Sequence, residues 1–283
     1  MNGFRPGFKQ VVAGAAAGVA ALCAPMAQAD MVTGIVDTWN VNVNAVFDTT
    51  SVVWQSNANV SASASQLTWG QGTSGPSSLT ISNSPASPNA NTNGAAVATI
   101  AVTHGNNPIT SGTGELGQVN LLSTLTLTPV VPLAPGLAPA TISFTIHFDE
   151  TPNADNPCLG GGTNGVGVNI NGCADIFVIN QNSLNFPFFY DLDGGGSLPN
   201  QMYFISFFEE TNALNALPNG ACTATGVPAP CIGFRTPEGG ATTFDFAALI
   251  TTEPVNFASE PGGLALLGLG FAGVGLTRRR KTN

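Results

Sequence analysis

The sequence predicts an all-β fold, a single β-sandwich or jelly-roll-like domain, and three observations carry that expectation. Apolar side chains alternate with polar ones at a period of two in segment after segment, the pattern of strands with one buried face. Clusters of Pro, Asn, Ser and Gly, notably residues 82–93 and 131–139, punctuate those segments as turns. Long heptads and fixed-period repeats, the marks of coiled coils, solenoids or propellers, do not occur.

Taken in chain order, residues 39–47 place Trp39, Val41, Val43, Ala45 and Phe47 on one face and Asn40, Asn42 and Asn44 on the other. Residues 52–54, 66–69, 78–81, 96–103 and 119–128 follow as strands. In 141–149, Ile142, Phe144, Ile146 and Phe148 alternate with Thr141, Ser143, Thr145 and His147. The series closes with 175–179, 185–190, 202–208 and 243–250. Only residues 211–217 read as helical, and that stretch is short.

Both ends of the chain read as addresses rather than fold. Residues 1–29 form a signal peptide: Arg5 and Lys9 are its positive region, 11–22 its apolar region, and Ala27-Gln28-Ala29 its cleavage site, cut after Ala29. Cys23 would suit a lipoprotein signal, but Leu22 stands where a lipobox needs a small residue, so Cys23 leaves with the signal. Residues 257–283 carry Ser259-Glu260-Pro261, an apolar run over 262–277 and a basic end, Arg278-Arg279-Arg280-Lys281. As a helix that run spans about 24 Å against a hydrocarbon core of about 30 Å. Arg278 can snorkel to cover part of the deficit, and the basic stop predicts a cytoplasmic C-terminus. The exported domain is then 30–256.

Charge narrows the partners. Between Asp30 and Glu260 there are sixteen carboxylates against one cation, Arg235, for a formal charge of −15, and there is no Lys. Such a surface repels phosphate backbones, so nucleic acid is excluded as a partner. Cations, basic proteins and neutral glycans remain compatible. The missing lysines also remove lysine-dependent covalent catalysis from this span.

Export gives the four remaining cysteines, Cys158, Cys173, Cys222 and Cys231, an oxidising compartment. Three connectivities are open to them; sequential pairing closes the shortest loops. Zinc is disfavoured, because the spacings are not C-x₂-C and neither His lies within a few residues of a Cys.

Reaction chemistry finds little footing. The chain has no G-x-S-x-G elbow, and Gly160-Gly161-Gly162 lacks the Lys of a phosphate loop. Adjacent acids such as Asp149/Glu150 and Glu209/Glu210 point to opposite faces of a strand, so neither pair serves a glycosidase alone. The candidate metal ligands are His104 and His147, the only histidines, with Asp149 two residues along the strand from His147. The competing reading makes His104 a turn residue ahead of Asn106-Asn107-Pro108 and leaves His147 facing solvent. Asp191-Leu192-Asp193-Gly194 hints at a calcium loop, but the twelfth position is Met202 rather than Glu, and a hairpin turn is the better expectation. Trp39, Trp54, Trp69 and Phe188-Phe189-Tyr190 offer rings for glycan stacking or, more simply, for a core. No cofactor and no enzymatic activity are expected.

Two resemblances rest on these residues. The run Ser259-Glu260-Pro261-Gly262-Gly263-Leu264 with its Arg-rich end resembles the PEP-CTERM sorting signal of Gram-negative bacteria, with Ser259 where that motif has its first Pro. Gly262-Gly263 also resembles a GlyGly-type tail read by a rhomboid-like protease. The exported domain resembles the THxN subset of PEP-CTERM proteins. It does so through Thr103-His104-Gly105-Asn106, with support from Leu67-Thr68-Trp69-Gly70, Phe148-Asp149-Glu150-Thr151-Pro152-Asn153, residues 175–179 and Phe234-Arg235-Thr236-Pro237-Glu238. The match covers residues 39–253.

The resemblance implies an exosortase-like processing enzyme as partner and an association with exopolysaccharide and biofilm. It implies a transient membrane anchor followed by release to the cell surface or beyond. It supplies no catalytic residues. The expected function is an exported, non-enzymatic β protein contacting polysaccharide or matrix proteins; the alternatives are a secreted glycan-active hydrolase and a membrane-tethered adhesin.

Overall fold

The computed structural model describes residues 34–179, 185–211 and 214–255. The signal peptide with its cleavage site at Ala29, the sorting residues Ser259, Glu260 and Pro261, and the apolar run that follows them lie outside the described residues. Among the described residues no helix is long and apolar enough to cross a membrane.

The fold is all-β. In chain order the strands are β1 (Thr38–Ser56), β2 (Ser61–Ala62), β3 (Gln66–Trp69), β4 (Ser77–Ser82), β5 (Asn89–Asn91), β6 (Val97–Asn106) and β7 (Glu115–Val131). They continue as β8 (Ala140–Asp149), β9 (Asp175–Ile179), β10 (Phe186–Tyr190), β11 (Gln201–Glu209) and β12 (Asn215–Ala216). A short helix α1 (Asn219–Ala224) precedes β13 (Ile232–Thr236) and β14 (Gly240–Thr251). Two antiparallel sheets result. The first runs β12-β13-β9-β8-β7-β1-β5 and the second β10-β11-β14-β6-β4-β3-β2.

One core cluster takes residues from both sheets, among them Trp39, Val41, Leu121 and Phe177 from the first and Leu79, Val102, Tyr203 and Phe244 from the second. Alternation along β1 decides which way that strand faces: Trp39, Val41, Val43, Ala45 and Phe47 are all buried. Val41, Val43 and Phe47 each contribute about 1.5–3 kcal/mol by leaving water. On the other face Asn40, Asn42 and Asn44 pair in register with Thr128, Thr126 and Thr124 of β7. Thr124 and Ser143 face their neighbours Thr141 and Leu122 across β7 and β8.

Two cysteine pairs are bridged, Cys158 to Cys173 and Cys222 to Cys231. The second ties α1 to the start of β13. There Ala221 and Cys222 cover Ile176 and Val178 on the outer face of the first sheet. This is why β9 is buried on both faces while β8 beside it and β7 beyond β8 alternate.

Residues 211–217 were expected to be helical; instead Asn215–Ala216 forms β12 against β13, and the helix begins at Asn219. Strand pairing and the Cys222–Cys231 bridge override the local preference there. Residues 39–47 and 52–54, separate in the sequence reading, belong to one 19-residue strand whose register against β7 shifts between Asp48 and Val53. The Asp191–Gly196 segment is the β10–β11 hairpin turn, with Asp193 accepting from the backbone N–H groups of Gly196 (3.0 Å) and Leu198 (2.8 Å).

Candidate functional site

Where the chain crosses between the sheets, five sequence segments meet. β13 belongs to the first sheet and β14 to the second, so Pro237, Glu238 and Gly239 carry the chain across the sandwich edge. Register fixes the neighbours: Thr236 pairs with Asp175, Asp149 with Ile176, and Gly240 with Asn106. The end of β8, the start of β9, the end of β13 and the end of β6 therefore converge on one end of the fold.

Three carboxylates fill that end. Oxygens of Glu150, Asp175 and Glu238 all lie within 4.8 Å of one another. Asp175 and Glu238 are 0 % and 1 % exposed. Asp175 Oδ1 accepts from Thr151 N (3.0 Å), whose hydroxyl in turn donates to the carbonyl of Cys173 (2.9 Å). The Cys158–Cys173 bridge thus holds the loop that presents Asp175. Glu150 Oε2 accepts from the indole N–H of Trp69 (2.9 Å). Glu238 is fixed through its backbone: Asn171 Nδ2 donates to its carbonyl (3.0 Å), and Gly239 N donates to the carbonyl of Asn106 (2.9 Å).

The remaining oxygens find no donors. Asp175 Oδ2 and both carboxylate oxygens of Glu238 are buried without a hydrogen-bond partner, as are Asn106 Oδ1 and Asn153 Oδ1. Asn106 is itself 0 % exposed, and its amide nitrogen is committed to Thr236 O (3.0 Å), which fixes which way its oxygen points. The amide N–H groups of Asn106 and Asn153 lie near enough to the Glu238 carboxyl to offset part of its rise, but neither makes a hydrogen bond of good geometry to it.

Electrostatics follow from burial with little compensation. Desolvation, opposed by the Trp69 hydrogen bond and reinforced by the charges of Glu238, Glu115 and Asp149, pushes Glu150 up to about 8. Burial and the charges of Glu150 and Glu238 push Asp175 well above the usual carboxylate range. Glu238 is raised for the same first reason. The cation Arg235 directs Nη1 to the carbonyls of Gly160 (3.0 Å) and Gly161 (2.9 Å). Three carboxyls this close, two of them buried, must hold protons or share a cation.

His104 lies beside this cluster but has another role than the one proposed for it from sequence. It is 0 % exposed, stacks on Trp69 at 5.5 Å and makes edge contacts with Phe148 and Phe177. Its Nδ1 shares a proton with Thr236 Oγ1 at 2.8 Å, and burial depresses its pKa to about 3, so the ring is neutral. It is a buried packing residue rather than a turn residue. His147 and Asp149 sit on β8 in the opposite sheet from His104. Among the described residues the group at metal-ligating distance is Glu150, Asp175 and Glu238, and it contains none of His104, His147 and Asp149.

Sequence reasoning passed over Asp175, Glu238 and Asn106 as ligands. The available signal was that each sits inside one of the segments singled out above, with Asp175 between Ala174 and Ile176 in an apolar run. The rings proposed for glycan stacking divide: Trp39, Trp69 and Tyr190 belong to the core, and Phe189 is 58 % exposed.

No protein-family model matches the chain, and no curated protein matches it.

Proposed function

We propose that this chain is an exported, non-enzymatic β protein of the PEP-CTERM THxN kind, whose polar sheet face contacts extracellular polysaccharide or matrix proteins. In this reading the signal peptide takes it through the inner membrane. The C-terminal segment holds it there until an exosortase-like enzyme processes it, and it then works at the cell surface or outside.

The observation that carries the reading is the outer face of the first sheet. Asn40, Asn42 and Asn44 of β1 lie opposite Thr128, Thr126 and Thr124 of β7, and Thr124 lies opposite Thr141 of β8. Farther along the same face Ser143 lines up with Leu122 and Val46, and Thr145 with Asn120 and Asp48. Thr124 and Thr141 share a hydrogen bond (3.2 Å), and Thr145 donates to Asn120 (3.0 Å), so the hydroxyls are ordered. Rows of fixed uncharged donors and acceptors suit sugar hydroxyls, which need hydrogen bonds but no counter-charge. The two disulfides fit an oxidising compartment. Burial weighs against a glycan hydrolase at the carboxylate cluster: Asp175 and Glu238 are sealed from solvent, where no glycosidic bond could reach them.

A glycan array run beside a reducing-sugar release assay tests the proposal. Binding without release is the expected result. Release that one carboxylate substitution abolishes would replace it with the hydrolase reading.

A further inference from the structure

The carboxylate cluster is a poor arrangement for a protein with nothing bound there. Five oxygens from four residues lack donors: Asp175 Oδ2, both oxygens of Glu238, Asn106 Oδ1 and Asn153 Oδ1. Buried polar atoms are almost always paired, because leaving one unpaired costs about 1–3 kcal/mol. Several such atoms gathered at one point, all acceptors, describe a position that calls for a positive charge. Protein groups do not supply it. Arg235, the one Lys or Arg among the described residues, is engaged with Gly160 and Gly161.

We propose that Glu150, Asp175 and Glu238 bind one calcium ion between the two sheets, with the side-chain oxygens of Asn106 and Asn153 as further ligands. The donor set is all oxygen, which selects a hard cation over zinc or copper. The three carboxylates offer oxygens within 4.8 Å of one another, close enough to meet on one ion, and calcium accepts about six to eight oxygens in irregular geometry. Magnesium needs shorter, octahedral contacts and keeps several waters, and Asp175 and Glu238 are buried. A carboxylate from each side of the first sheet's end, an acid on the crossover and an amide from β6 would share the ion. Calcium would then act as a cross-link between the sheets, close to where the Cys158–Cys173 bridge fastens the ligand loop. Trp69, donating to Glu150, is a positioning residue for that ligand. The inference stands apart from the polysaccharide reading, since it concerns the other end of the first sheet's strands and needs no glycan.

The test uses the full chain with its disulfides oxidised, stripped with EDTA. Calcium titrated by calorimetry should bind with one ion per chain lost on Glu238→Gln. The thermal midpoint should rise by about 10 °C in millimolar calcium, given micromolar affinity, and much less in magnesium. Glu238→Gln removes one buried charge, so its metal-free form should be at least as stable as the parent. Terbium on the unaltered protein keeps the proposal testable if that variant does not fold. Excitation of tryptophan should sensitise terbium emission, and calcium should quench it by displacement. Absence of heat, of a midpoint shift and of sensitised emission overturns the proposal. So does calcium binding that Glu238→Gln leaves unchanged, or a response to magnesium as large as that to calcium.

Discussion

Trp69 donates its indole N–H to Glu150 Oε2 at 2.9 Å, joining the end of β3 in one sheet to the end of β8 in the other. Glu150 is thereby oriented toward Asp175 and Glu238, and the same indole forms the floor on which His104 stacks. One side chain thus packs the core and aims a carboxylate.

Replacing it separates those roles. Trp69→Phe keeps most of the apolar contact but leaves Glu150 without its donor, at a cost of about 1–3 kcal/mol. Chemical denaturation should show that loss in the midpoint with the slope unchanged. It should also weaken calcium binding several-fold. A variant as stable as the parent would mean that the hydrogen bond holds nothing in place.

The metal-free protein should lose stability as pH rises. Glu150 moves from about 4.5 when unfolded to about 8 when folded, so between those values the folded state binds more protons and the slope of stability with pH is negative. Asp175 and Glu238, also raised, act in the same direction. Asp149, itself raised, acts with them. His104, lowered to about 3 by burial, works in the opposite direction below about pH 6.5, where the unfolded ring takes up a proton that the folded ring does not. Urea midpoints in EDTA should therefore fall from about pH 7 to about pH 9, where His104 is neutral in both states. With saturating calcium the decline should vanish or reverse, because the ion needs the ionised carboxylates.

Reduction of the disulfides should weaken the domain unevenly. The Cys158–Cys173 bridge closes a loop of separation 15, for which the chain-entropy model gives about 3 kcal/mol. It also restrains the Thr151–Asp175 contact. Cys158→Ala with Cys173→Ala should therefore lower both stability and calcium affinity. Cys222→Ala with Cys231→Ala should lower stability while leaving calcium affinity nearly intact, since that bridge fastens α1 over Ile176 and Val178.

The polysaccharide reading makes a separate prediction. Thr126→Asp, on the polar face of β7 beside Asn42, should reduce binding to any neutral or acidic glycan captured by the array at least several-fold. A half-exposed surface site away from special features should shift stability by no more than about 0.5 kcal/mol. Unchanged glycan binding in this variant would move the contact surface elsewhere.

Much of the fold was legible because alternation is a direct consequence of strand geometry. Trp39 to Phe47 names the buried face of β1, and 142–148 names that of β8. Legibility failed where tertiary context overrides local pattern. β5 lies inside a stretch rich in Asn, Pro and Ser that reads as turn, yet Asn91 and Ala90 pair with Thr38 and Trp39. Asn215–Ala216 pairs with β13 despite helix-favouring neighbours.

The site was harder still. Thr236-Pro237-Glu238-Gly239 has the composition of a solvated turn, and only the crossover from one sheet to the other buries Glu238. The segments Leu67–Gly70, Thr103–Asn106, Phe148–Asn153, 175–179 and Phe234–Glu238 stood out in the sequence without any visible reason for belonging together. Their meeting around three carboxylates gives one.

The central claim is that these carboxylates share a cation, and crystals grown with calcium address it most directly through anomalous difference density. The account predicts one peak between Glu150, Asp175 and Glu238, with six to eight oxygens at about 2.3–2.6 Å that include Asn106 Oδ1. A map without that peak at saturating calcium, with the carboxyls instead hydrogen-bonded to one another through shared protons, would contradict it.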